Sequence, residues 1–389
     1  MLRKCHCNTC SVGIATQDPE LRKLFPGQPE HIVNYMQFVA NEVREHLARL
    51  GAHSLDEIIG RVDLLEQVTA EAADLHGLDL ACILREPEGD DSRSCQALPR
   101  KRAADRVDEA FMERARPALE HGQAVTIDDR IDNRERSVGT RLSYFLTRRH
   151  GSAGLPDGTL RLDLTGVAGQ SLGAFINRGI ELRITGAAND YPGKGLSGGR
   201  IILRAPADAG YDPDTSVILG NAALYGATGG EFYAQGAAGE RFGVRNSGAV
   251  AVVEGCGDHA CEYMTGGVVL ILGDIGRNFA AGMSGGDVYL LADQHAVLDQ
   301  LDDGFRVGHL SDARDFELVE RLLRNQWRYT GSQAAAEMLT QWPSCAERLR
   351  KVTPSGYAKA VAEHLAEGRD SRVPLPPEAV SSDTGEEPS

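Results

Sequence analysis

The sequence predicts a mainly β fold, a right-handed, single-stranded-type parallel β-helix flanked by α-helices at both ends. Three observations lead there. Glycine is frequent, 44 residues of 389, yet it follows no triplet rule, which points to many tight turns rather than a fibrous chain. A hydroxyl residue, glycine and a β-rich run recur together at Ser197, Thr228, Ser247, Thr265 and Ser284, at intervals of 31, 19, 18 and 19 residues. Outside that region apolar residues recur at three-to-four spacing, the mark of helices.

The repeat carries the architecture. A near-constant period with one turn and one strand per unit is a solenoid signature. A single coil cannot bury its own apolar face, whereas stacked coils can. Glycine tolerates positive φ at the corners, hydroxyls can bond local backbone there, and the Val, Ile and Leu after each corner fill the interior.

The remaining elements follow in order. Residues 1–26 are irregular and carry Cys5, Cys7 and Cys10. A helix follows, with Pro29 and Glu30 in its first turn, an apolar stripe at Val33, Met36, Val43, Leu47 and Leu50, and Gly51 as its stop. A short helix is expected over Ser54–Ile59, with Ser54 as N-cap and Glu57 at the capping-box position. Residues 86–100 read as a polar linker or loop. Helices are expected near Arg102–His121 and Ser137–Arg149, and strands at Thr159–Leu164 and Ile180–Ile184. Beyond the repeat, Phe316, Val319, Leu322, Leu323 and Trp327 mark a helix, with two more over Ser332–Trp342 and Tyr357–Leu365. Residues 370–389, rich in Pro, Ser and acids, are expected to be disordered.

Bulk properties exclude several classes. The net charge of −15 argues against nucleic-acid or anionic-membrane partners, which need a basic face. No run approaches the ~18 apolar residues of a membrane span, and Met1–Thr16 lacks the apolar core of a signal peptide. Eight cysteines in a chain this long are not a disulfide framework. A cytoplasmic protein is expected.

The stretches GTRLSYFLTRRHGSAGLPDGT, TGVAGQSLGAFINRGIELRITGAANDYPGKGLSGGRI, GNAALYGATGGEFYAQGAAGERFGVRNSGAVAVVEGCGDHACEYMTGG and GRNFAAGMSGG resemble the GXGXG domain of the glutamate synthase family. The opening CHCNTCSVGIATQDPELRKLFPGQPEHIVNYMQFVANEVREHLARLG resembles the end of that family's FMN-binding barrel domain. The resemblance covers residues 2–365. It implies residues 1–75 as the end of the barrel domain with an iron–sulfur cysteine loop, 76–110 as a linker, 111–310 as the GXGXG β-helix, 311–368 as C-terminal helices and 369–389 as a tail. The implied reaction converts glutamine, 2-oxoglutarate and reductant to two glutamates. Glutamine is hydrolysed in an amidotransferase module, and ammonia reaches a flavin barrel where reduced FMN supplies hydride. FMN belongs to the complete enzyme and is not expected on this chain alone. The implied partners are those modules and an electron-donor subunit or ferredoxin.

The resemblance also assigns Cys5 and Cys10 as ligands of a 3Fe-4S cluster. The family's other ligand lies six residues before Cys5, so the chain is expected to begin inside the motif; Cys7 stands where the family has a non-ligand. Free thiols, or a zinc half-site at Cys7 and Cys10, remain alternatives. No residue is assigned a catalytic role, and the isolated chain is expected to be inactive. The expected role is scaffold plus part of the cluster loop; the alternative is a non-catalytic assembly subunit of a split complex.

Other motifs have structural readings. Gly193-Lys-Gly-Leu-Ser-Gly198-Gly199 contains G-x-G-x-x-G, but a strand is expected after it, where a dinucleotide fingerprint needs a helix. It reads as a corner, with Lys194 a surface contact. Asp258, His259, Cys261 and Glu262 could suggest a metal site, with His259 and Cys261 on one face of a strand; corner and strand structure is the favoured account. Arg241 and Arg245 with Glu240 read as ion pairs. Ser171, Ser197, Ser247 and Ser284 read as turn residues rather than nucleophiles. The stripe from Val33 to Leu50 reads as packing, on a partner where the barrel is absent.

Overall fold

The computed structural model describes residues 19–23, 25–67, 79–86, 107–213, 215–291, 295–299, 301 and 303–379. The chain forms two compact units, Met1–Ala103 and Ala104–Ser389.

In the first unit α1 spans Pro29–Arg49. Proline at its first position lacks an N–H that would be unpaired there anyway, and Gly51 leaves the helix at φ 72°. Leu47 is the buried residue of α1, while Ile32, Val33, Tyr35, Met36 and Phe38 are more than half exposed. The expected helix at Ser54–Ile59 is a single 3₁₀ turn, Leu55–Glu57, and the Ser54 side chain makes no cap bond. One turn fixes many dihedrals for few bonds. Glu57 instead accepts from the His53 N–H at 3.0 Å.

The second unit is a stacked sheet closed by helices. In chain order it contains α2 (Val107–His121), β1 (Val125–Ile131), α3 (Thr140–His150), β2 (Leu160–Ala168), β3 (Ile180–Ala188), β4 (Ser197–Arg204), β5 (Val217–Leu219), β6 (Gly229–Ala238), β7 (Ser247–Cys256), β8 (Thr265–Ile271), β9 (Gly285–Leu291) and β10 (Phe305–Gly308). Helices α4 (Ala313–Thr330) and α5 (Gln333–Thr340), strand β11 (Leu349–Pro354) and α6 (Ser355–Ala366) complete it. The spatial order is β1-β2-β3-β4-β6-β7-β8-β9-β11-β10, with β5 beside β3 and β6. Pairing is parallel from β1 to β9 and turns antiparallel at β11 and β10.

Register stacks like on like. Ile127, Leu162, Leu182, Ile201, Phe232, Ala251, Val269, Val288 and Val352 form one column through the sheet. All belong to the solenoid interior. The neighbouring column, Ile202, Tyr233, Val252, Leu270 and Tyr289, faces outward and is buried with Leu318, Val319, Leu322 and Leu323 of α4. Both faces of β6–β9 are therefore covered, and those strands read as apolar runs rather than alternating ones.

At the other end α2 and α3 close the stack with Phe111, Ala115, Leu142 and Leu146. Asp108 of α2 caps α3 from outside, accepting from the Gly139 N–H at 2.8 Å and the Arg141 N–H at 3.0 Å. Open strand edges invite pairing with other chains; at the opposite edge of the sheet β10 is a four-residue, largely exposed strand.

Strands β1, β5, β10 and β11 are not expected from the sequence. The run VTIDDRI is too polar to stand out, and LRKVTP lies where only helices are expected. The expected disordered tail also differs over residues 373–379, which lie against α4. Arg314, Arg321 and Arg328 each donate to a carbonyl of that segment.

Coil stacking brings backbones too close for a Cβ at some positions. Gly186 in β3 has φ 145°, and a Cβ there would lie 1.9 Å from the Gly166 oxygen. Gly226 has φ 65° but open space around it. Gly186→Ala is expected to lower stability by ~3 kcal/mol or more, and Gly226→Ala by about 1 kcal/mol. Urea denaturation followed by far-UV circular dichroism checks the difference.

Candidate functional site

The corners are the most constrained feature of the solenoid. Each is a five-residue turn whose first, third and fifth residues take left-handed backbone. They are Ser171, Gly173, Phe175; Tyr191, Gly193, Gly195; Ala222, Leu224, Gly226; Arg241, Gly243, Arg245; His259, Cys261, Tyr263; and Asn278, Ala280, Gly282. A non-glycine residue pays about 1–2 kcal/mol for this conformation, so something must hold it.

Inter-coil hydrogen bonds do. First and fifth residues donate to the next coil, as Tyr191 N–H does to Asn221 O at 2.8 Å and Arg245 N–H to Glu262 O at 2.9 Å. Third residues donate back to the preceding coil, as Leu224 N–H does to Pro192 O and Cys261 N–H to Phe242 O. Alternating handedness turns successive N–H groups in opposite directions, and one corner reaches both neighbours. Side chains just before the corners add a second ladder: Asp190 accepts from Asn221 N–H, Asn221 from Glu240 N–H and Asp258 from Arg277 N–H, each at 2.8 Å.

A second polar feature lies where α4 meets the sheet. Register places Glu181, Arg200 and Glu231 side by side on β3, β4 and β6. Arg200 donates to Glu181 at 2.7 Å and to Glu231 at 2.6 Å. Its guanidinium lies 5.0 Å from the Tyr329 ring of α4. Burial opposes the Arg200 charge, but the Glu231 and Glu181 carboxylates outweigh it and raise its pKa. Tyr233 donates to Glu231 and accepts from Asn325 of α4, and its phenol pKa is driven up chiefly by burial. Glu254 accepts from Gly236 N–H and from the Gln326 amide of α4. Near the far end Asp315 accepts from Tyr289 and Lys351. A groove of about 590 Å³ opens beside Arg200, walled by the strand starts and residues 373–377. Arg178 on its rim is paired with Asp157.

The candidate residues fall as follows. Cys5 and Cys10, with Cys7, lie outside the described residues. Gly193 and Gly195 are corner residues and Ser197 begins β4, so a strand follows the G-x-G-x-x-G. Lys194 sits over the Tyr191 ring. Ser197 and Ser247 donate to the carbonyls of Ile176 and Ala227 in the preceding coil, and Ser171 takes left-handed backbone at φ 64°.

The apparent metal cluster separates. His259 and Cys261 are both left-handed corner residues rather than neighbours on a strand face. Cys261 is wholly buried in the solenoid interior, and burial drives its thiol pKa well up. His259 stays near the surface, 3.7 Å from Glu262. Asp258 bonds Arg277, whose side chain holds the Asp258 pKa down. Arg241 reaches Glu240 and, across coils, Glu262; Arg245 stacks over Tyr263. Among the described residues no group of three or more His, Cys, Asp or Glu is placed to hold a metal ion, and no helix is long and apolar enough to cross a membrane.

The Glu181–Arg200–Glu231 ladder is not apparent from the sequence. Its signal is a charged residue at one register position of β3, β4 and β6, visible only once the register is known, because β3 and β4 also carry Arg183 and Arg204.

Residues 108–355 match the family described as GXGXG motif, and residues 1–53 match the conserved region in glutamate synthase. The NADPH glutamate synthase large chain of Bacillus subtilis is 44% identical over 369 residues, covering 93% of this chain and 24% of that protein. The NADH glutamate synthase of Schizosaccharomyces pombe is 44% identical over 370 residues, covering 94% and 18%. The ferredoxin-dependent glutamate synthase 2 of Synechocystis is 41% identical over 349 residues, covering 88% and 22%. The chain thus spans a quarter or less of the length of these relatives.

Arg200→Ala removes the cation shared by two carboxylates that are 5% and 12% exposed, leaving Glu181 to Arg183 and Glu231 to the Tyr233 hydroxyl, and is expected to cost about 3 kcal/mol. The triple change Glu181→Gln, Arg200→Met, Glu231→Gln removes the charges together and should cost much less. Denaturant unfolding of the two variants checks this.

Proposed function

The chain belongs to the glutamate synthase family, and on that premise we propose that it is the C-terminal structural part of a glutamate synthase. In the complete enzyme glutamine, 2-oxoglutarate and reductant yield two glutamates, with the amidotransferase and flavin chemistry carried by other modules. This chain supplies the scaffold, and Cys5 and Cys10 supply two thiolates of a 3Fe-4S cluster. FMN sits in the barrel module, which residues 1–75 help complete. The electron donor is a nicotinamide-dependent subunit or ferredoxin, since relatives named for NADPH, NADH and ferredoxin match this chain at 44%, 44% and 41% identity. Function in the cytoplasm fits the free state of Cys82, Cys256, Cys261 and Cys345.

The observation that carries this reading is the use made of the buried polar groups. Arg200, Glu254, Asn325 and Gln326 join coil to coil or α4 to the sheet. Such groups hold a rigid body together. The exposed apolar residues of α1, Ile32, Val33, Met36 and Phe38, support a packing partner for the first unit, because a cluster of this kind marks an interaction site.

Purified alone, the chain is expected to form no glutamate from glutamine and 2-oxoglutarate with NADPH, NADH or reduced ferredoxin. Adding polypeptides that carry the amidotransferase and flavin modules should restore formation. Val33→Glu with Met36→Glu should abolish restoration while leaving the thermal transition of the solenoid unchanged. Robust glutamate formation by the chain alone would overturn the proposal.

A further inference from the structure

Residues 373–379 (VPLPPEA) run beside α4 in the same direction as the helix. Three arginines spaced seven residues apart face them. Arg314 donates to the Val373 carbonyl at 2.9 Å, Arg321 to Pro376 at 3.3 Å and Arg328 to Ala379 at 2.6 Å. Seven helical residues advance about 10.5 Å. Three residues of polyproline-type strand advance about 9.3 Å, and three is also its repeat. Two turns of helix and one turn of strand therefore present donors and acceptors at nearly the same interval.

Asn325 lies between the last two arginines and is wholly buried. Its amide nitrogen donates to the Pro377 carbonyl and its oxygen accepts from the Ala379 N–H, each at 2.9 Å. One side chain thus offers a donor and an acceptor to a passing backbone, as a sheet edge does. Pro374, Pro376 and Pro377 have no N–H to leave unpaired against the helix, and their fixed φ keeps the strand extended. Val373 and Leu375 pack on the outer apolar cluster, and Ala379 is 2% exposed. Of these contacts, the polar ones to Arg314, Arg321, Arg328 and Asn325 all reach main-chain atoms, with Glu378 adding one side-chain bond to Arg328 at 3.1 Å. The row reads conformation more than sequence.

We propose that this face of α4 is a receptor for a proline-rich extended strand, and that residues 373–379 are its tethered occupant. The receptor takes the same strand from outside the chain when the tethered copy is weakened. The inference stands on the α4 geometry and does not depend on the enzymatic role.

The test uses the full chain carrying Leu375→Gly, Pro376→Gly and Pro377→Gly, with a fluorescein-labelled peptide of residues 372–380 as probe. Anisotropy should show at least tenfold tighter binding to this variant than to the unaltered chain. Adding Arg321→Ala should remove at least tenfold of that affinity, and a peptide with its prolines replaced by glycine should bind at least tenfold more weakly. A variant with native circular dichroism that binds no better than the unaltered chain overturns the proposal, as does equal binding of the glycine peptide. Amide exchange gives a second reading that does not need the weakened strap. Arg328→Ala in the otherwise unaltered chain should speed exchange at Ala379 tenfold or more and leave the β7 amides unchanged; an unchanged Ala379 rate overturns the receptor.

Discussion

Everything in the solenoid rests on how closely successive corners can stack. Neighbouring coils approach to the inter-strand distance of about 4.8 Å, and they must do so where the chain turns as well as where it runs straight. Left-handed residues at alternate positions meet that demand, because they send N–H groups to the coil above and the coil below in turn. Glycines just before the corners let the backbones meet: a Cβ on Gly276 would fall 2.5 Å from the Asp258 backbone nitrogen. Straight strands then inherit a fixed register, and the interior columns follow from it.

Fixed register makes the outer face a docking surface. Tyr233, Val252, Leu270 and Tyr289 line up to receive α4, while Glu181, Arg200 and Glu231 line up as alternating charges. The buried polar groups at this junction orient the helix: Asn325 and Gln326 each have specific partners in the coils. A register slip of one residue would move each of these groups to the other face. The same helix presents its arginines to residues 373–379, so solenoid, helix and strap form a series in which each layer positions the next. A body built this way suits the scaffold role proposed for it.

The repeat was legible in the sequence because Ser197, Thr228, Ser247, Thr265 and Ser284 stand at or just before strand starts, and glycine follows each. The rule governing the corners was not. Twelve of the left-handed positions hold residues other than glycine, among them Leu224, Arg241 and Cys261. Their conformation is imposed by neighbouring coils, which no local preference reveals. That is why His259 and Cys261 suggested a strand face: spacing two apart is read as one face only if the backbone is extended. Strand β11 is not legible because its pairing is antiparallel to β9 and depends on a distant partner. The segment 373–379 has the composition of a disordered tail, and its order comes from arginines 51 to 59 residues away. Of the candidate sites, the G-x-G-x-x-G corner is legible from the strand that follows it, whereas Cys5 and Cys10 lie outside the described residues.

Native-state hydrogen exchange at the corners tests the central claim most directly. If alternating left-handed residues lock the coils, the amides of Gly193, Leu224, Gly243, Cys261 and Ala280 should exchange as slowly as those of the strands they join, through the same opening event. Corner amides that exchange at loop rates while strand amides stay protected would contradict the account, and would place the register in the strands alone.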